Sequence, residues 1–152
     1  MSEVLTKSTA RNIFYGGSLF FFVIFVGLTA QSRHYILTKG TDEAHLTDSV
    51  VRGKRIWESH ACFDCHTIYG EGARFAPELG DVMKRWGVEK DPAGARETFK
   101  SWMKAQPTGI PGRRQMPQFN LSDAQLDDLG NFLDWAGRAN LQGWPPRPSK
   151  TN

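Results

Sequence analysis

Between Ile13 and Ala30 the chain reads IFYGGSLFFFVIFVGLTA, eighteen residues without a charge. A helix rises about 1.5 Å per residue, so this run would span about 27 Å, close to the roughly 30 Å hydrocarbon core of a bilayer. Inside a bilayer every backbone polar group must be satisfied within the segment, so one isolated apolar run can cross only as a helix. A cleaved secretory signal has a shorter apolar region, about 7–15 residues, closed by a small-x-small site. Here the run is longer, and Leu28-Thr29-Ala30 puts a large residue at the first of those positions. The sequence therefore predicts a retained transmembrane anchor over 13–30, behind a polar, cytoplasmic lead over 1–12. Lys7 and Arg11 precede the run, and Arg33 and Lys39 follow it. Counting positive charges leaves the orientation almost tied, with the chain's own amine favouring the N-terminal side as cytoplasmic.

Beyond the anchor, 31–47 is polar and mixed and is expected to be a stalk. A globular part is expected over 48–141, followed by a Pro-rich tail over 142–152 that holds Pro145, Pro146 and Pro148. The 19 Lys and Arg residues against 16 Asp and Glu are spread without a basic run, which argues against nucleic-acid binding. Three helices stand out. In DSVVRGKRIWESH, the residues Val50, Val51, Lys54 (by its stem), Trp57 and Ala61 share a face. Gly53 in that helix weakens it by about 1 kcal/mol relative to alanine, so close approach of another helix is expected there. GARETFKSWMKAQ carries Phe99, Trp102 and Met103 on one face and stops at Pro107. LSDAQLDDLGNFLDWAGR opens on a capping box, Ser122 with Gln125, and buries Leu126, Leu129, Phe132 and Leu133, extended by Trp135 or Ala136. No convincing strand is present, so the expected class is all-α with long loops.

Both cysteines of the chain lie in HACFDCHTIYG, as Cys62-x-x-Cys65-His66. Two thiols at this spacing can add to the two vinyl groups of one haem, and the adjacent histidine then ligates the iron. The pattern is the attachment signature of c-type haem. A thioredoxin-type pair would need a βαβ setting, and a structural zinc site would need four ligands, usually a second Cys/His pair. Neither is visible, since His34, His45 and His60 are scattered, and a disulfide across three residues would close almost no loop. A sixth iron ligand must come from the opposite side. Met83 and Met103 read as core residues on helices, His60 sits in the attachment turn itself, and His34 and His45 belong to the stalk. Met116 lies in TGIPGRRQMPQFN, a loop stiffened by prolines and fixed by the capped helix after it. It is the preferred ligand, with gap filling as its alternative role. His/Met ligation leaves no open position and suits an electron carrier. Pro77, in FAPELG, is a candidate acceptor for the other ring N–H of His66, against an ordinary turn proline.

Gly53 and Trp57 before CFDCH, a proline loop after it, and MPQF before a final aromatic helix together resemble class I cytochromes c. That resemblance implies that the first and last helices of the domain cross at Gly53, against Leu129, Phe132 and Leu133. It also implies haem attachment outside the cytoplasm, and so an N-terminus inside. TARNIFYGGSLFFFVIFVGLT, VVRGKRIWE, GEGARFAPELG, WMKAQPTGIPGRRQMPQFNLS and WPP narrow it further. Over nearly the whole chain they are similar to the cytochrome c subunits of bacterial nitric oxide reductases. The resemblance implies an inner-membrane, single-pass subunit with its haem domain in the periplasm. It would take electrons from a soluble cytochrome c or cupredoxin and pass them to a large membrane subunit holding haem b and non-haem iron, where two nitric oxide molecules become nitrous oxide and water. It further implies that the backbone carbonyl of Gly72 ligates a calcium ion at the interface with the large subunit. Where other members carry a second ligand, a tyrosine, this chain has Arg74. Its guanidinium cannot ligate calcium; it is expected to pair with propionates or carboxylates and take over part of the ion's charge-neutralising role, the alternative being a solvated surface arginine that points away. Arg113 and Arg114 are candidates to steady propionates or an acidic donor surface. The alternatives are the monohaem c subunit of a haem–copper oxygen reductase and, in a different class, an anchored thiol–disulfide oxidoreductase; a haem-based gas sensor would need a displaceable distal ligand.

Overall fold

The computed structural model describes residues 5–112 and 114–140. Arg113 and the tail over 142–152 lie outside the described residues. The chain divides into two units between Lys39 and Gly40.

The first unit is dominated by helix α1, Lys7–Tyr35, which runs on into a π-helical turn, Ile36–Gly40. Thr6 caps it by accepting from the N–H of Thr9 at 3.2 Å. None of the residues of α1 is buried, although Phe20, Phe21, Phe22 and Phe25 lie on it. An apolar helix left uncovered by protein is the form expected of a segment whose solvent is lipid, and α1 is long and apolar enough to cross a membrane.

The second unit is mostly helical: α2 (Asp48–Ser59), α3 (Val82–Arg85), α4 (Pro92–Lys104) and α5 (Asp123–Gly137). Each of the three longer helices starts on a side-chain cap. Thr47 accepts from Val50 N–H, Asp91 accepts from Gly94 N–H with Pro92 in the first turn, and Ser122 and Gln125 close a full capping box. Two short strands, β1 (Thr67–Ile68) and β2 (Glu71–Gly72), pair antiparallel, so the domain is not entirely without strands. Two-residue strands show no periodicity, which is why the sequence alone does not reveal them.

Helices α2 and α5 cross at Gly53. A Cβ there would lie 2.0 Å from the carbonyl oxygen of Asp128 and 2.7 Å from Cβ of Phe132, so the backbones meet where only glycine fits. Around the crossing, Arg52 grips the Asp128 carboxylate with both Nε (2.8 Å) and Nη2 (2.9 Å), and Ser49 donates to the same carboxylate at 2.6 Å. The core behind it is Val50 and Trp57 of α2, Ala95, Phe99 and Met103 of α4, and Leu126, Leu129, Phe132 and Leu133 of α5. Val51, expected on the apolar face of α2, is exposed, and Gly53 occupies the buried position instead. Trp102 is 40% exposed at the edge of its helix face, where Ala95 completes the buried stripe.

Residues 40–47, expected in a polar stalk, carry contacts to α5. Trp135 Nε1 donates to the Asp42 carbonyl at 2.8 Å, and Asn140 N–H donates to the Gly40 carbonyl at 3.0 Å.

Candidate haem site

After α2 the chain must reverse tightly. Ala61 takes a left-handed conformation (φ 49°), and Cys62–Asp64 forms one 3-10 turn. Inside that turn the N–H groups of Cys65 and His66 both bond the Cys62 carbonyl, at 3.2 and 2.9 Å. This holds the two thiols and the imidazole on one compact loop. Both cysteines are free thiols and half-buried. Burial pushes the Cys62 thiol up to about 11.

His66 is buried, and its Nδ1 lies 2.8 Å from the Pro77 carbonyl. A carbonyl only accepts, so Nδ1 carries the proton and the Nε2 lone pair is left for another partner. The acceptor is fixed from both sides by backbone bonds. Ala76 N–H donates to the Cys65 carbonyl at 2.7 Å, and Leu79 N–H donates to the Thr67 carbonyl at 2.8 Å.

Cys62, His66, Pro77 and Met116 all line one cavity of about 310 Å³. Most of the wall is apolar: Ile56 and Trp57 from α2, Phe99 and Met103 from α4, and Leu129 and Leu133 from α5. Cys65 is held in the same turn but is not part of the wall. Met83 is fully buried and also outside it, whereas Met103 is part of it. The two thioethers on the wall differ in support. Met103 is embedded in α4, while Met116 sits half-buried on a loop tied by Gln115, whose Oε1 accepts from Gly109 N–H at 3.1 Å.

Several wall residues were not anticipated. His60 lines the cavity, its ring edge-on to Phe119 with centroids 5.4 Å apart and its Nδ1 3.0 Å from the Ile56 carbonyl. Trp86 lines it too, its ring tilted against Phe99 (centroids 5.9 Å apart) and Trp102 (6.1 Å). Glu78 was also missed, although it follows Pro77 directly. Its carboxylate accepts from the N–H groups of Tyr69 and Gly80, each at 2.9 Å, and of Gly70 at 3.3 Å. Burial alone would raise this group, yet the Thr67 hydroxyl and these three N–H donors together hold it below the usual carboxylate range.

Gly72 and Arg74 do not line the cavity, and both are exposed. At Gly72 the backbone has φ 115°, and a Cβ would lie 2.2 Å from the His66 carbonyl, so the hairpin demands glycine there on steric grounds alone. Arg114 lies over the Phe75 ring at 4.0 Å and donates to the Phe75 carbonyl at 2.7 Å.

An apolar slot, two free thiols in one turn, an imidazole whose Nδ1 is engaged and a thioether on the same wall are the donor set a covalent haem requires, and these residues fit it. Residues 50–137 match the family described as Cytochrome c. The chain is 61% identical to the C subunit of nitric oxide reductase from Paracoccus denitrificans, over 96% of this chain and 97% of that one. The chain belongs to the family of nitric oxide reductase C subunits. It is 58% identical to the C subunit from Cereibacter sphaeroides over the same shares, and 52% identical to that from Halomonas halodenitrificans over 98% of this chain and 99% of that one. Membership over almost the full length takes in the apolar helix as well as the domain. A cytochrome c domain implies covalently bound haem c, and this family is the electron-transfer part of its complex rather than the part that performs the chemistry.

Proposed function

We propose that this chain is the membrane-anchored electron-entry subunit of a nitric oxide reductase. Cys62 and Cys65 hold the haem through thioether bonds, His66 ligates its iron through Nε2, and Met116 ligates from the other side. When bound, the haem supplies a one-electron redox centre. The observation that carries this reading is the His66–Pro77 bond at the edge of an apolar cavity that also receives Cys62 and Met116.

Each residue type has a definite part. The Pro77 carbonyl fixes the His66 tautomer and strengthens it as a ligand. The aliphatic and aromatic wall excludes water, which limits reorganisation when charge changes by one unit. Met116 would supply the second protein ligand to the iron, which would leave neither nitric oxide nor oxygen a place to bind here. Helix α1 spans the bacterial inner membrane with its N-terminus in the cytoplasm, leaving the haem domain in the periplasm. There it meets a soluble cytochrome c or cupredoxin, through a small, short-lived interface. The electron then passes to a large subunit with haem b and non-haem iron, where two nitric oxide molecules, two electrons and two protons give nitrous oxide and water. Gly72 and Arg74, on and beside the β1–β2 hairpin, face that subunit. There the Gly72 carbonyl would be one ligand of a calcium ion, and Arg74 would take over part of that ion's charge-neutralising role.

The test is turnover of the purified two-subunit complex with a reduced small donor. Nitric oxide should be consumed, and consumption should collapse in His66→Ala while the catalytic subunit keeps its own haems. Undiminished nitric oxide consumption in that variant, or oxygen consumed in place of nitric oxide, would contradict the proposal.

A further inference from the structure

The imidazole of His66 and the carbonyl it donates to lie on two different stretches of chain, 65–70 and 76–80. Two backbone bonds join them, from Ala76 N–H to the Cys65 carbonyl and from Leu79 N–H to the Thr67 carbonyl. The side chain that joins them further is Glu78. From the second stretch its carboxylate reaches back to Tyr69 N–H (2.9 Å) and Gly70 N–H (3.3 Å) on the first, while also accepting from Gly80 N–H (2.9 Å) on its own. The Thr67 hydroxyl, directly after His66, is a further donor to it. Tyr69 has φ 60° and its hydroxyl donates to the Ala136 carbonyl of α5, so the first stretch is moored to the final helix as well. Arg85 donates to the Glu78 carbonyl at 2.7 Å and pairs with Asp81, fixing the backbone on the other side of the carboxylate.

We infer that Glu78 is a positioning residue for the axial imidazole: by holding 65–70 against 76–80 it sets the His66 Nδ1–H to Pro77 bond, and with it the donor strength of His66 toward iron. The inference deepens the haem-ligand reading and rests on His66 being the ligand. The physical chain is short. A hydrogen bond from Nδ1–H to a carbonyl makes the imidazole a stronger donor. A stronger donor favours the oxidised iron and lowers the reduction potential. Loosening the bond therefore raises the potential and exposes the Nδ1 proton to solvent. Charge loss alone would also raise the potential, but it would not open Nδ1–H to exchange.

The experiment uses the full-length, haem-loaded chain in detergent, with Glu78→Gln, Thr67→Val and, as a control, Thr47→Ala. In Glu78→Gln an amide N–H₂ replaces one acceptor oxygen and opposes a backbone donor. Thr67→Val keeps the charge and removes only the hydroxyl. Thr47→Ala removes the exposed cap residue at the start of α2, which does not line the cavity, lowering Tm through stability alone without a change of charge. Proton NMR of the reduced protein should show the His66 Nδ1–H exchanging at least tenfold faster in Glu78→Gln. The change in Thr67→Val should be smaller and in the same direction, with the midpoint potential raised in both, and Thr47→Ala should match wild type in exchange and potential. Wild-type exchange in both site variants, or the same acceleration in Thr47→Ala, would overturn the inference. If Glu78→Gln fails to mature, Thr67→Val alone decides it. A wild-type protein without a haem-shifted His66 ring resonance would instead overturn the ligand assignment, and this inference with it.

Discussion

His66 illustrates how much a single hydrogen bond decides. With Nδ1 committed to Pro77 at 2.8 Å, the ring offers one lone pair, and it does so from a buried position beside an apolar slot. The sequence displayed His66 and both cysteines outright, because their chemistry depends on adjacency in the chain. It identified Pro77 by a local argument, and the structure places that carbonyl on the ring. Glu78 was not legible, since a glutamate in a Pro/Gly-rich loop looks solvated until its four donors, from Thr67, Tyr69, Gly70 and Gly80, are brought around it. The choice between Met103 and Met116 is settled by spectroscopy at this scale. Met116→Ala should abolish the weak far-red band of thioether–iron bonding and let the reduced protein bind carbon monoxide, while Met103→Ala should keep the band and lose stability by about 2–5 kcal/mol. The reverse pattern would assign the ligand to α4.

At the level of helices, the α2–α5 crossing is the mechanical centre of the domain. Gly53→Ala gains helix propensity of about 1 kcal/mol but drives a methyl into the Asp128 carbonyl, a backbone atom that cannot swing aside. Net destabilisation at the upper end of about 1–3 kcal/mol is expected from overpacking, read as a lower midpoint of chemical unfolding. Asp128 governs acid behaviour at the same place. The Arg52 guanidinium, aided by the Ser49 hydroxyl, holds its carboxyl below the usual carboxylate range against an opposing effect of burial. A carboxyl with a depressed native pKa adds stability that is present above its unfolded pKa, about 3.9, and is lost as pH falls through the native value. Asp128→Asn should therefore melt lower than wild type at pH 7, with the gap narrowing as pH drops below the ordinary carboxylate range. A constant gap across that range would show that packing, not ionisation, is responsible. The three longer helices were legible from their apolar spacing and α5 also from its capping box, whereas the Thr47 and Asp91 caps, and the start of α4 at Pro92 ahead of GARETFKSWMKAQ, were not read. The β1–β2 hairpin was not, because two-residue strands have no period, and its glycine at 72 answers to the His66 carbonyl rather than to its neighbours.

For the whole molecule, the division of labour follows from two solvents. One helix has an uncovered apolar surface suited to lipid, and the described domain folds around a slot whose lining is gathered from α2, α3, α4, α5 and the loops between them. That gathering explains why the cavity was the least predictable part: His60, Trp86 and Phe119 meet across large sequence separations that no local pattern records. Intact-mass measurement of the full-length chain from a host competent in cytochrome maturation is the most direct test of the central claim. The account predicts the polypeptide mass plus one haem, retained after denaturation and lost in the Cys62→Ala, Cys65→Ala double variant. The bare polypeptide mass for the wild-type chain would contradict it.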